Sequence, residues 1–109
     1  MTAKQKEKYQ IRATIIKALA HPTRLFIVDQ LAKKNHCVCE LTDMVGDDIT
    51  TVSKHLSVLR SSGLVSVEKK GTQVFYHLKV PCILGFIRCA EETLKSTLQE
   101  QNRIFNQSK

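Results

Sequence analysis

No apolar run in this sequence approaches the roughly 18 consecutive residues needed to span a bilayer, so no membrane-spanning helix is expected. Met1 to Lys8 is polar and basic with no apolar segment behind it, so it does not read as a secretory signal. Together these absences predict a cytosolic protein whose four cysteines are reduced thiols, not structural disulfides. Internal repeats, low-complexity tracts and a glycine-rich phosphate loop are also missing. Acid is scarce: 10 Asp and Glu stand against 17 Lys and Arg, a formal net charge of +7. A small domain this basic suits a polyanionic partner, because each neutralised phosphate releases condensed counterions. With 109 residues the chain is expected to form one domain, 1–109, with a modest core. A long apolar-faced helix at either end would then be better buried against a second subunit.

Glycine and proline are few, and they punctuate the chain. Ile11, Ile15, Ile16, Leu19 and Ala20 recur at helical spacing over about 9–20, and His21-Pro22 breaks that run. Pro22 suits the first turn of a second helix carrying Leu25, Phe26, Val28 and Leu31. A short third helix spans Val38 to Val45 and stops at Gly46. Asp47, Asp48 or Thr50 caps a fourth, which runs to Ser61 or Ser62 with Val52, Leu56 and Leu59 as its apolar stripe. Leu64 to Glu68 and Val74 to Leu78 read as a β-hairpin whose tip, Lys69 to Gln73, is basic and contains Gly71. Pro81 opens a last helix over about 81–100, striped with Ile83, Leu84, Ile87, Ala90, Leu94 and Leu98. The expected order is α-α-α-α-β-β-α, mostly helical with a small β-hairpin.

The short helix, glycine-centred turn and second helix between Glu40 and Ser62 have the proportions of a helix-turn-helix. If Val52, Leu56 and Leu59 face the core, then Thr50, Thr51, Ser53, Lys54, His55 and Ser57 face mostly outward. Hydroxyls, a lysine and a histidine are groups that meet base edges and phosphates in a major groove. Arg60 and, beyond the helix, Lys69, Lys70 and Gln73 complete the candidate DNA-binding set, with the hairpin acting as a basic wing. Each feature alone also fits a solvated surface; their succession is what carries the reading.

Three segments carry a family resemblance. Ala20-His21-Pro22-Thr23-Arg24-Leu25 resembles the opening of the second helix in ArsR/SmtB-family repressors. Val52 to Arg60, reading VSKHLSVLR, resembles their recognition helix, and Gly63-Leu64-Val65 followed by Gly71 to Leu78 resembles their wing. The match covers roughly residues 12 to 95 with the motifs in order. It implies a winged helix-turn-helix homodimer, the terminal helices (about 9–20 and 81–100) forming the dimer interface. It also implies two recognition helices on a palindromic double-stranded DNA operator, released when an inducer binds.

Cys37-Val38-Cys39-Glu40-Leu41 resembles the cysteine box at the start of the third helix in arsenite, cadmium and lead sensors of that family. Residues two apart lie about 200° apart on a helix, so both thiolates face one ion only where the chain is extended or unwound. Soft thiolates select soft ions, and the helix N-terminus with Lys33, Lys34 or His36 nearby favours the thiolate. Arsenite or another soft metal ion such as cadmium or lead is therefore the expected inducer. The arsenite box often has a third cysteine where this chain has Thr42, so Cys82 or Cys89 is the candidate third ligand, from either subunit. The zinc site that some relatives carry on their last helices needs histidines, and from Pro81 onward there are none. The alternative trigger is redox or persulfide sensing, with Cys37 or Cys39 bridged to Cys82 or Cys89. Thiols two residues apart make poor disulfides, so that bridge would run between helices. An enzyme is not expected, because a cysteine nucleophile needs a base and an orienting group in a cleft. A pure protein-interaction module would leave the basic wing unexplained.

Overall fold

The computed structural model describes residues 1–97 and Phe105. Eight elements follow in order: α1 (Ala3–Leu19), α2 (Pro22–Lys33), β1 (His36–Cys37), α3 (Val38–Val45), α4 (Ile49–Ser61), β2 (Val65–Lys70), β3 (Gln73–Leu78) and α5 (Cys82–Thr97). The fold is the expected one, mostly helical with a small β wing. The order gains one strand: β1 pairs antiparallel with β3, setting His36 opposite Tyr76 and Cys37 opposite Phe75. The sheet is three-stranded, β1-β3-β2, with β3 in the middle. Two residues are too few to show an alternating pattern, which is why the sequence hides this strand.

Local signals set the ends of the elements. The first helix begins at Ala3, not near residue 9, because Thr2 and Gln5 form a capping box. Thr2 Oγ1 accepts from the Gln5 N–H at 3.2 Å, and Gln5 Oε1 accepts from the Thr2 N–H at 2.9 Å. Pro22 opens α2, and His21 Nδ1 caps it by accepting from the Thr23 N–H at 3.1 Å. Gly46 ends α3 in the left-handed region, φ 78°, which a Cβ would disfavour. Asp48 caps α4 by accepting from the Thr51 N–H at 2.8 Å. The wing's tip is narrower than expected: Lys69 and Lys70 lie within β2, and Gly71-Thr72 alone make the turn. Gly71 has φ 64°, the placement a type II′ turn asks of its first central residue. Residues 98–100 of the expected last helix, Leu98 of its stripe among them, lie outside the described residues.

One apolar cluster holds these elements together. Ile27 and Val28 of α2, Leu41 of α3 and Val52, Leu56 and Leu59 of α4 are fully buried in it, joined by Leu64 just before β2 and by Val65 and Leu78 from the sheet. The stripe spaced by four and three along α4 thus faces inward as its periodicity requires. The two terminal helices are far less covered. Only Ala18 and Leu19 of α1 are buried, and α5 buries none of its residues. Ile11, Ile16 and Phe86 are 59%, 60% and 68% exposed, an amount of apolar surface that the core of this chain leaves without cover. Ile16, Leu19, Ala20, Leu25, Ile83, Phe86 and Ile87 line an open, nearly all-apolar groove between α1 and α5.

Leu56→Ala tests this account of the core. It should lower the unfolding free energy by about 2 to 5 kcal/mol, since Leu56 has no solvent exposure within the core cluster. Chemical denaturation at fixed protein concentration measures it. A loss no larger than that of an exposed substitution such as Ser57→Ala would show that α4 is not seated as described.

Candidate nucleic-acid interface and thiol box

With its stripe buried, α4 turns Thr50, Ser53, Lys54, Ser57 and Arg60 to the surface. Ile49, Thr50, Ser53, Lys54 and Ser57 line one shallow, open depression along the helix. Glycine and side-chain bulk play little part here; small hydroxyls and one long cation leave a face that another molecule's edge can approach. Lys69, Lys70 and Gln73 are exposed on the last residues of β2 and the first of β3, and Lys70 pairs directly with Gln73 across the turn.

Two of the expected outward residues are committed elsewhere. Thr51 is half-buried, and its hydroxyl donates to Asp48 Oδ2 at 3.2 Å, so it completes the helix cap. The Thr51 N–H and hydroxyl together hold the Asp48 carboxyl below its usual range. His55 turns inward: its ring lies 4.4 Å from that of His21, and its Nδ1 is 3.4 Å from the Arg24 guanidinium. Arg24 in turn donates from Nε to the Ala18 carbonyl at 2.6 Å, tying the end of α1 to α2 and, through His55, to α4. His55 therefore serves the junction of three helices more than the outward face. Sequence spacing alone could not separate it from Lys54, because the helix's boundary between faces passes between them.

Cys37 and Cys39 differ sharply in surroundings. Cys37 is buried at 6% exposure, at the end of β1 and the N-cap of α3, with φ −80° and ψ 164°. Cys39, inside the first turn of α3, is exposed, as are Cys82 and Cys89 on α5, and all four thiols are free. Among the described residues no three Cys, His, Asp or Glu side chains stand close enough together to hold a metal ion. Cys37 and Cys39 thus have no third such side chain gathered with them among the described residues. Thr42, in the position of the family's third cysteine, donates its hydroxyl to the Val38 carbonyl at 2.7 Å.

Glu40 is the residue that sequence reading overlooked at this place. Its Oε1 accepts from the Cys37 N–H at 3.2 Å and from the Cys37 thiol at 3.4 Å. Its Oε2 lies 3.5 Å from Nδ1 of buried His36, a nitrogen that makes no hydrogen bond. The Cys37 N–H, then its thiol, hold the Glu40 carboxyl below the ordinary glutamate range. The signal was present in the spacing: Glu40 stands three residues after the cap, where a capping box places its acid.

A recognition-type helix in a helix-turn-helix, followed by a basic two-stranded wing, defines a winged-helix regulator. Comparison with known proteins agrees. Residues 21–67 match the family model described as bacterial regulatory protein, arsR family. An uncharacterized HTH-type transcriptional regulator of Methanocaldococcus jannaschii is 37% identical over 87 residues, covering 79% of this chain and 98% of the relative. The HTH-type transcriptional repressor SmtB of Mycobacterium tuberculosis is 41% identical over 64 residues, 59% of this chain and 47% of that protein. Among solved structures, a homodimeric winged helix-turn-helix DNA-binding domain from Mycobacterium bovis superposes with a TM-score of 0.80 at 29% identity, covering 88% of this chain and 93% of that one. The chain belongs to the arsR family of regulatory proteins. These relatives are transcriptional regulators, not enzymes.

The His21–His55–Arg24 contact predicts a pH dependence. Burial, then the neighbouring His21 and Arg24, hold the His55 pKa below its usual value, with Asp47 opposing weakly. A histidine depressed in the folded state takes up its proton more readily when unfolded. Its contribution is therefore intact above about pH 6.5 and is lost as the pH falls through the lowered folded value. Denaturation between about pH 7.5 and 5.5 should show stability falling with acid, with a shallower fall in His55→Asn. Identical slopes in the two proteins would remove His55 from this role.

Proposed function

We propose that this protein is a homodimeric, DNA-binding transcriptional repressor whose hold on a double-stranded operator is released when a thiophilic inducer binds Cys37 and Cys39. The observation that carries the DNA-binding part is the exposed row Thr50, Ser53, Lys54 and Ser57 on α4, followed by exposed Lys69 and Lys70 on the wing. In this reading Thr50, Ser53 and Ser57 meet bases. Lys54, Arg60, Lys69, Lys70 and Gln73 meet phosphates or the neighbouring minor groove. Thr51 and His55 hold the helix in place. The homodimer is supported by the uncovered apolar surface of α1 and α5 and by the homodimeric relative, which together favour the terminal helices as its interface. Among the described residues no helix is long and apolar enough to cross a membrane, in keeping with a cytoplasmic regulator.

For the inducer, a soft trivalent or divalent species such as arsenite, cadmium or lead matches a pair of thiols. Cys37 already has the extended backbone that brings residues two apart to one side, and only Cys39 must leave the helix. Cys82 or Cys89 is the proposed third ligand, within the subunit or from its partner. The free, exposed state of Cys39, Cys82 and Cys89 also suits the redox reading, in which an inter-helix disulfide or polysulfide replaces the ion.

Fluorescence anisotropy on the promoter DNA tests both halves. Lys69→Ala with Lys70→Ala removes two cations from each wing of the dimer and should weaken binding to all sequences and lower the slope of log K against log salt by up to about four. Release by arsenite or cadmium should vanish in Cys37→Ser and in Cys39→Ser while operator binding persists. Release by persulfide or peroxide alone would move the protein to the redox reading. An unchanged salt slope in the lysine variant would remove the wing from the interface.

A further inference from the structure

The thiol box is attached to the wing as well as to the helix-turn-helix. Cys37 is the last residue of β1, whose partner β3 is the middle strand of the sheet, and β3 pairs on its other edge with the lysine-bearing β2. A two-residue strand has little ladder of its own to hold it. Two side-chain contacts supplement that ladder. Asn35 Oδ1 lies 3.1 Å from His77 Nδ1, joining the segment before β1 to β3. The Glu40 carboxylate takes both the N–H and the thiol of Cys37, fixing the end of β1 to the first turn of α3. The other carboxylate oxygen, Oε2, lies 3.5 Å from Nδ1 of buried His36, so the same side chain also faces the first residue of β1.

Resting on the proposed capture of a thiophile at Cys37 and Cys39, we infer that Glu40 is the clamp through which this box holds the wing. Capture opens the clamp and unseats the wing along with the first helix of the helix-turn-helix. The chemistry is redox-neutral. Arsenite exchanges two As–OH bonds for two As–S bonds, and each thiol hydrogen leaves with a hydroxide as water. The hydrogen that Glu40 accepts from Cys37 is then gone, and an anionic carboxylate faces an electron-rich sulfur. At the same time, bringing the Cys39 sulfur beside that of Cys37 unwinds the turn that carries Glu40. Both changes pull the carboxylate from Cys37, and β1 loses its tie to α3 while still bonded to β3. Glu40 is thus a positioning residue; it contacts neither DNA nor the inducer.

Hydrogen–deuterium exchange on the full chain, read over residues 73–78 and 37–41 with intact mass alongside, tests the inference. Without inducer, Glu40→Ala should speed exchange over 73–78 by about tenfold, the equivalent of losing one charge-assisted hydrogen bond. It should also lower the salt slope of DNA binding toward that of the wing-lysine variant. Glu40→Gln keeps an oxygen acceptor and should stay close to the parent in both. Arsenite bound to the parent, as shown by mass, should produce the same acceleration over 73–78. If Glu40→Ala leaves residues 73–78 and the salt slope unchanged, the clamp is refuted. If arsenite binds and releases DNA with only 37–41 accelerated, the inference fails while the proposed function stands. If arsenite binds and no DNA is released, the proposed inducer fails, and the Glu40→Ala comparison, which uses no inducer, still decides the clamp.

Discussion

Everything in this molecule that points outward is set by what α4 buries. Val52, Leu56 and Leu59 occupy successive turns on one side and have no solvent exposure, packed against Ile27, Val28 and Leu41. That contact fixes the rotation of the helix about its own axis, and with it the side on which Thr50, Ser53, Lys54 and Ser57 emerge. A rotation by a single residue, about 100°, would exchange a hydroxyl for an aliphatic side chain on the exposed face. The capped ends, Asp48 before and Ser62 after, fix the helix along its length. Core packing and surface chemistry in α4 are therefore one constraint seen from two sides.

How much of this could be read from the sequence depends on how far each signal reaches along the chain. The α4 stripe, the Gly46 stop, the Asp48 cap and the hairpin are all encoded within a few residues, and each lies where local spacing puts it except that the hairpin's strands run closer to Gly71. The capping box at Thr2 and Gln5 is equally local, yet it was masked by the absence of apolar residues in the turns that follow. β1 is different in kind. Its pairing joins His36 and Cys37 to Tyr76 and Phe75, far along the chain, and nothing within two residues announces it. His55 shows the same limit at the site: its neighbours His21 and Arg24 come from another helix, so its inward turn is a tertiary fact.

The thiol box illustrates why burial matters more than motif. Written as Cys37-Val38-Cys39, its two thiols look equivalent, but one is the sealed end of a strand and the other an exposed helical residue. The buried Cys37 thiol is already engaged, donating to the Glu40 carboxylate at 3.4 Å. On the proposed capture of a thiophile, exposed Cys39 would be the sulfur met first and buried Cys37 the one whose engagement disturbs the fold. Two unequal cysteines would suit the proposed sensor better than two equal ones: the first would give access, and the second would couple occupancy to structure.

That coupling is effective only if the junction it acts on is weak relative to the rest. The core cluster around α4 is contiguous and apolar, whereas β1 depends on a two-residue ladder, one exposed Asn–His contact and one carboxylate. On the proposed reading, opening the junction would leave the hydrophobic cluster standing, and the response would be a displacement of parts and not an unfolding. The same inequality explains the position of the box between the wing and the helix-turn-helix. A ligand can shift an equilibrium only by the difference in its interactions with the two states, and a tie that costs little to break leaves most of that difference for moving the DNA-binding elements.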